Sequence, residues 1–250
     1  MSGHSKWHSI KHRKAEVDKK RGKIFTKHAK LIAVAARKGG DPGMNPNLRA
    51  AIDNARAENM SFENIDRAIK KGTGESKGAA QIEEVMYEGF GPGGVALFIE
   101  TLTDNRHRTV ANIKNIVSKK GGNLGAAGSV SYLFQRKGMI NVLPGRKSND
   151  EIELAAIDAG AQDIKIEDGT VEIYTEPQSL NFVKNNLEKL GIGIDCARLT
   201  YVAQTEVPVN DPDTAKKLID LIEAIEEDDD VTEVYSNDNI DPVILEKLSG

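Results

Sequence analysis

The sequence predicts an α+β protein of three domains: an N-terminal all-α helical domain and two α+β domains, the last ferredoxin-like and inserted into the middle one. Three observations carry this. Apolar residues recur at helical spacing up to the stop Gly72-Thr73-Gly74. Strand-like alternation and turn-rich glycine segments begin only at about Glu83. From Gly138 the segments run β-α-β-β-α-β, the split-βαβ order. The expected boundaries are 1–78 for the basic arm and three-helix domain, 79–136 plus 205–250 for a discontinuous α+β domain, and 137–204 for the inserted ferredoxin-like domain.

Residues 1–23 offer only Trp7, Ile10 and Val17 as clearly apolar groups, so they read as an arm or a fraying helix. Residues 24–38 form a helix with Ala29, Ile32, Ala33 and Ala36 on one face, ended by Gly39-Gly40. Asn45 caps the next helix and Pro46 opens it, with Leu48, Ala51, Ile52 and Ala55 inward. Ser61 caps a third, with Phe62, Ile65, Ala68 and Ile69 inward.

In the middle region, strands at Glu83–Tyr87 and Val95–Leu102 flank a glycine-rich turn. A helix capped by Asp104 or Asn105 presents Val110, Ile113 and Val117 on one side, and a strand follows at Val130–Phe134. The third region reads as a strand (Met139–Val142), a helix (Asp150–Ala159), a hairpin around Glu167-Asp168-Gly169, a helix (Gln178–Leu190) and a strand (Asp195–Ala203). The tail adds a strand (Thr205–Val209), a helix (Pro212–Ile225) and a strand (Val231–Ser236), which supply partners for the unpaired strands of the middle region.

Composition narrows the function classes. An apolar fraction of 39% and a charged fraction of 29% across 250 residues describe a folded chain rather than a disordered one. No apolar run reaches ~18 residues, so no membrane span is expected. Met1 to Lys14 is basic without an apolar stretch, so a secretory signal is not expected either. The single cysteine, Cys196, cannot form an internal disulfide and fits a reducing, cytoplasmic setting.

The net charge of −4 conceals a division. Residues 1–40 hold twelve Lys and Arg against two acidic groups, residues 41–78 hold six of each, and residues 79–250 hold sixteen against thirty. A basic head on an acidic body suggests a polyanionic partner for the head. Lys6, Lys11, Arg13, Lys14, Lys19, Lys20, Arg21, Lys23, Lys27, Lys30 and Arg37 are the candidates for phosphate contact, with Trp7 able to stack on an unpaired base. The alternative is a segment that is solvated or folded onto the acidic tail, where Glu226–Asp230 is the densest acidic run.

Elsewhere the chemistry is thinner. Arg106 and Arg108, at a helix start, either hold a phosphate or stand solvated beside an N-cap. The helix pair 46–59 and 62–71 imitates a helix-turn-helix, but Glu63 and Asp66 occupy the end that should read bases. His4, His8 and His12 share a helical spacing without a cysteine or carboxylate to complete a metal site. Asp104, His107 and Thr109 are neighbours in sequence, and no nucleophile motif accompanies them. The glycine-rich segments 89–94 and 121–128 match neither a P-loop nor a dinucleotide fingerprint. No catalytic residue, metal, cofactor or small-molecule substrate is expected.

Several long motifs together resemble the YebC/PmpR family. They are Gly3-His4-Ser5-Lys6-Trp7, Ile10–Lys14, Arg21–Lys27, Ala35–Pro42, Asn64–Gly72, Tyr87–Gly94, Thr103–Arg106, and Gly121–Gly125 with Gly128–Val130. The likeness spans essentially the whole chain, with His107 a departure where the family has Asn. It implies three domains, a bacterial cytosolic protein, and a DNA-binding regulator of transcription. Mitochondrial relatives resemble translational activators and some bacterial members act at the ribosome, so ribosomal RNA of the large subunit is the alternative partner. A metal-dependent enzyme acting on nucleic acid and a protein–protein adaptor are the remaining classes.

Overall fold

The computed structural model describes residues 17–75, 81–143, 145, 147–167 and 170–249. They fall into two compact units, one of residues up to 133 together with 203–249, the other of residues 134–202.

The first unit begins with three helices, α1 (Val17–Ala36), α2 (Pro46–Ala57) and α3 (Phe62–Thr73). Ile32, Ala36, Leu48, Ile52, Ala55, Met60, Ile65 and Ala68 form their shared core. Asn45 does more than cap α2. Its side chain accepts from Leu48 N at 3.1 Å and donates to the carbonyls of Ala35 and Gly39 at 2.9 Å each, binding the end of α1 to the start of α2. Gly72 sets the crossing of α1 and α3, since a Cβ there would lie 2.2 Å from the Ala33 carbonyl oxygen. Phe62, expected inward, is 73% exposed. It is the first residue of α3, ahead of the turn whose inward positions are Ile65 and Ala68.

The sheet of this unit has the order β3-β1-β2-β9, all antiparallel: β1 (Glu83–Phe90), β2 (Ala96–Thr103), β3 (Asn123–Leu124) and β9 (Val231–Ser236). The tail thus supplies a neighbour to β2. Helices α4 (Arg106–Lys119) and α7 (Pro212–Glu226) bury Ile113, Val117, Leu218, Leu221 and Ile222 against Leu97 and Ile99. Ala33 of α1 packs with Ile82 and Leu102 in a separate cluster. Val110, expected on the apolar side of its helix with Ile113 and Val117, is exposed, while those two are buried. The strand expected at Val130–Phe134 is instead a 3-10 turn, Ser131–Leu133. Two short parallel strands, β8 (Val207–Val209) and β10 (Asp238–Ile240), and a final helix, α8 (Pro242–Ser249), complete the unit. Neither β10 nor α8 was expected from the sequence.

The second unit contains β4 (Phe134–Val142), α5 (Asn149–Ala159), β5 (Asp163–Glu167), β6 (Thr170–Thr175), α6 (Leu180–Lys189) and β7 (Ile194–Ala203, its last residue in the first unit). Its sheet order β5-β6-β4-β7 is that of a ferredoxin-like fold. Ile140, Val142, Val171 and Ile173 meet Ile152, Ala156, Val183 and Leu187 of the two helices. A reciprocal capping box between Ser148 and Glu151 starts α5. The chain is α+β, as its pattern predicts. No helix among the described residues is long and apolar enough to cross a membrane.

Candidate nucleic-acid interface

Of the candidate contacts, Lys6, Trp7, Lys11, Arg13 and Lys14 lie outside the described residues, as do His4, His8 and His12. Lys19, Lys20 and Arg21 lie on the first turns of α1, their side chains outside the described ones. The next cations follow at helical spacing and share one side of that helix. Lys23 Nζ donates to the Glu227 carbonyl at 2.7 Å, Lys27 Nζ lies 3.4 Å from Glu233 Oε2, and Lys30 Nζ donates to the Asp229 carbonyl at 2.6 Å and to Asp230 Oδ1 at 2.8 Å. The C-terminal end of α7 and the acidic turn after it therefore receive two cations, Lys23 and Lys30, while Lys27 reaches Glu233 on β9. Free carbonyls and partial negative charge at a helix C-terminus favour such a seat.

Asp230 is the centre of this contact. It is buried, and its other oxygen accepts from Arg108 at 2.7 Å and from the Thr109 hydroxyl at 2.7 Å. Burial by itself would raise its carboxyl, but hydrogen bonds from Lys30, Arg108 and Thr109 hold it down at about 2. One carboxylate thus joins α1, the start of α4 and the turn before β9.

The start of α4 is equally committed. Asn105 caps it by accepting from Arg108 N at 3.1 Å. Arg106 pairs with Glu83, and Arg108 also reaches Asp104 at 3.0 Å. Arg37 donates to the Ile82 carbonyl at 3.0 Å, so it too serves the joint between helices and sheet. Asp104 and His107 line one open surface pocket with Glu83, Thr103, Asn105 and Arg106, but Asp104 pairs with Arg108 and Thr109 is buried against Asp230, outside that lining. Among the described residues no three His, Cys, Asp or Glu side chains group as a metal site would require. Burial pushes the Cys196 thiol up, away from the reactive thiolate.

Sequence reasoning left two groups unnoticed. Asp230 was one of five residues in an acidic run, and nothing in the spacing distinguishes it. Glu88 on β1 is the other. Its carboxylate accepts from the backbone N–H of Gly128 at 2.8 Å, Val130 at 2.7 Å and Ser131 at 2.8 Å. Burial works to raise its carboxyl, yet these three donors hold it below the usual carboxylate range. The pairing spans forty positions, beyond any local pattern.

In the second unit, Tyr174 is ringed by charge. Lys137 and Lys165 lie 6.0 and 5.8 Å from its ring centre, and its hydroxyl donates to Glu172 at 2.6 Å. The ring is itself buried, so it offers no stacking face.

Comparison with known proteins gives the chain close relatives along its length. Residues 5–75 match a family model described as the TACO1/YebC protein N-terminal domain, and residues 82–238 match one described as the TACO1/YebC second and third domain. A protein of Persephonella marina named "probable transcriptional regulatory protein" is 51% identical, covering 100% of both chains. One of the same name from Aquifex aeolicus is 50% identical over 99% of this chain and 100% of its own. The crystal structure of a conserved hypothetical protein from Aquifex aeolicus superimposes with a TM-score of 0.86 at 48% identity, covering 91% of this chain and 94% of that one.

Proposed function

The chain belongs to the TACO1/YebC family, and from that premise we propose that it is a cytoplasmic, non-enzymatic, nucleic-acid-binding regulator of gene expression. One observation carries the reading: residues 1–40 hold twelve Lys and Arg against two acidic groups, on a chain whose remainder is acidic. Cations gathered in this way release counterions from a phosphate backbone, which drives association independently of base sequence. Lys23 and Lys30 are held by the acidic turn, and Lys27 by Glu233 on β9. The contact to nucleic acid therefore falls mainly to Lys6, Lys11, Arg13, Lys14, Lys19, Lys20 and Arg21, with Trp7 able to stack. The names of the relatives favour DNA and transcription.

A second reading, a translation factor bound to ribosomal RNA, is favoured by α3. Its N-terminal turn presents Phe62 and Glu63, with Asp66 one turn on, where a major-groove reader needs donors to base edges. Co-sedimentation with ribosomes, alongside binding to duplex DNA at two salt concentrations, separates the two. Recovery with the large subunit supports the translational reading. Preference for one duplex sequence over random DNA supports the transcriptional one. Binding to neither removes the proposal.

A further inference from the structure

We infer that the loop from Lys119 to Tyr132 is a second nucleic-acid contact, one that holds an unpaired RNA strand by backbone phosphates and a stacked base. This rests on the nucleic-acid reading proposed above and adds a surface on a different part of the first unit.

The first observation is a charge pattern that averaging conceals. From Asn105 to Asn149, 45 residues, there is no Asp or Glu, while nine Lys and Arg occur. The rest of the 79–250 body holds all thirty of its acidic residues and only seven basic ones. Within the first unit this stretch supplies Arg106, Arg108, Lys114, Lys119 and Lys120. The two arginines are taken by Glu83, Asp104 and Asp230. Lys114, Lys119 and Lys120 are exposed and make no ion pair among the described residues. Their charge is available to a partner, and the loop that follows carries no acidic residue of its own, the Glu88 carboxylate that braces it being buried.

The second observation is that the loop is exposed yet fixed at several points to one short segment of β1. Asn123 and Leu124 pair with Phe90 and Gly89. Gly122 sits so close that a Cβ would lie 2.6 Å from the Phe90 carbonyl oxygen. Gly125 N donates to the Glu88 carbonyl at 2.8 Å, and the Glu88 carboxylate takes the amides of Gly128, Val130 and Ser131. Between these anchors Gly125, Ala126, Ala127 and Gly128 are exposed, small enough for a sugar–phosphate backbone to lie against the main chain.

The third observation is Tyr132. It stands 69% exposed in the 3-10 turn immediately after the Glu88-bound amides, while its neighbours Val130 and Phe134 are buried. An exposed ring on a braced backbone costs little entropy to use, and every base has a face to stack on it. Unpaired bases are what RNA loops and bulges present, and stacking with backbone contact is how they are commonly held.

The test uses the full chain and a labelled, unstructured RNA about 12 nucleotides long, within the length such a surface tracks. Its binding is measured across a salt series. Tyr132→Ala is expected to weaken binding about tenfold, with Tyr132→Phe close to the parent. Lys119→Ala with Lys120→Ala is expected to lower the slope of log affinity against log salt by about 1.4, the value for two phosphates of a single strand. Glu88→Gln should speed amide exchange at Gly128–Ser131 and weaken RNA binding. Unchanged melting of the Tyr132 and lysine variants would confirm that they act on binding. Should these variants bind as the parent does, while substitutions at Lys6, Lys11, Arg13 and Lys14 abolish binding, the loop contact is wrong and the nucleic-acid reading stands. Equal losses for single-stranded and duplex probes would replace stacking by plain charge attraction and overturn the unpaired-strand assignment. Absence of binding by the parent chain to any RNA or DNA would overturn both.

Discussion

Asp230 illustrates how one residue decides what a neighbouring segment can do. Four side chains donate five hydrogen bonds to it or to the carbonyl before it, Lys30 from α1, Thr103 from β2, and Arg108 and Thr109 from α4. Replacing it by Asn leaves Lys30, which is largely buried, without its counter-charge. We expect Asp230→Asn to cost about 3 kcal/mol of stability at neutral pH, read from denaturant unfolding, because removing one partner strands a buried cation. The pH dependence has a defined sign. The folded carboxyl is held at about 2 against an ordinary 3.8, so the unfolded chain binds the proton more readily. The stabilisation is complete above about pH 4 and is lost as pH falls from there toward 2. The Asn variant should lose less stability than the parent across that window. An identical acid profile in both would show that the carboxylate is not coupled to folding.

At the scale of elements, α1 was legible in outline and not in use. Its apolar spacing announced a helix, and Ile32 and Ala36 are in the core as the periodicity requires. The sequence could not tell that Ala33 would serve a second cluster with Ile82 and Leu102, because a helix packed on two sides carries no single apolar stripe. The same limit applies to its lysines. Lys23, Lys27 and Lys30 have the composition of a phosphate-binding stripe, yet their partners are an acidic turn and the strand after it, about two hundred residues away in sequence. Caps were the most readable features, since Asn45, Ser61 and Asn105 each act through amides within three residues. The 3-10 turn at Ser131–Leu133 lies where a strand was expected, and the Glu88 carboxylate that accepts from the amides of Val130 and Ser131 is distant in sequence. Gly72 provides the element-level prediction. A methyl group at this position would press on the Ala33 carbonyl oxygen. Gly72→Ala should therefore destabilise the protein by about 2 kcal/mol, as overpacked sites do, with thermal unfolding as the readout. A neutral or stabilising result would mean that α1 and α3 can separate without cost.

For the whole molecule, the arrangement of charge matters more than its sum. A chain of net charge −4 would be repelled by nucleic acid if the charges were spread evenly. Concentrating twelve cations in the first forty residues lets the head attract a polyanion while the acidic body limits how much of the surface can approach it. The acidic turn after α7 and Glu233 on β9 together hold three lysines of α1 in place, so head and body are joined by the same kind of interaction the head would make with phosphate. The ferredoxin-like segment 134–202 interrupts the first unit in sequence, and its helical and strand spacing, repeated over short local stretches, made it readable. The acidic run Glu226–Asp230 was one expected seat for the basic residues and receives Lys23 and Lys30, but the individual pairs were not readable, because ion pairs depend on distant partners that no periodicity encodes. The most direct test of the central claim is the salt dependence of RNA and DNA binding by the full chain with Lys6, Lys11, Arg13 and Lys14 changed together to Ala. Weaker binding and a slope of log affinity against log salt smaller by about 3 are expected. Unchanged affinity and slope would contradict the claim, and would place the nucleic-acid contact, if there is one, away from the basic head.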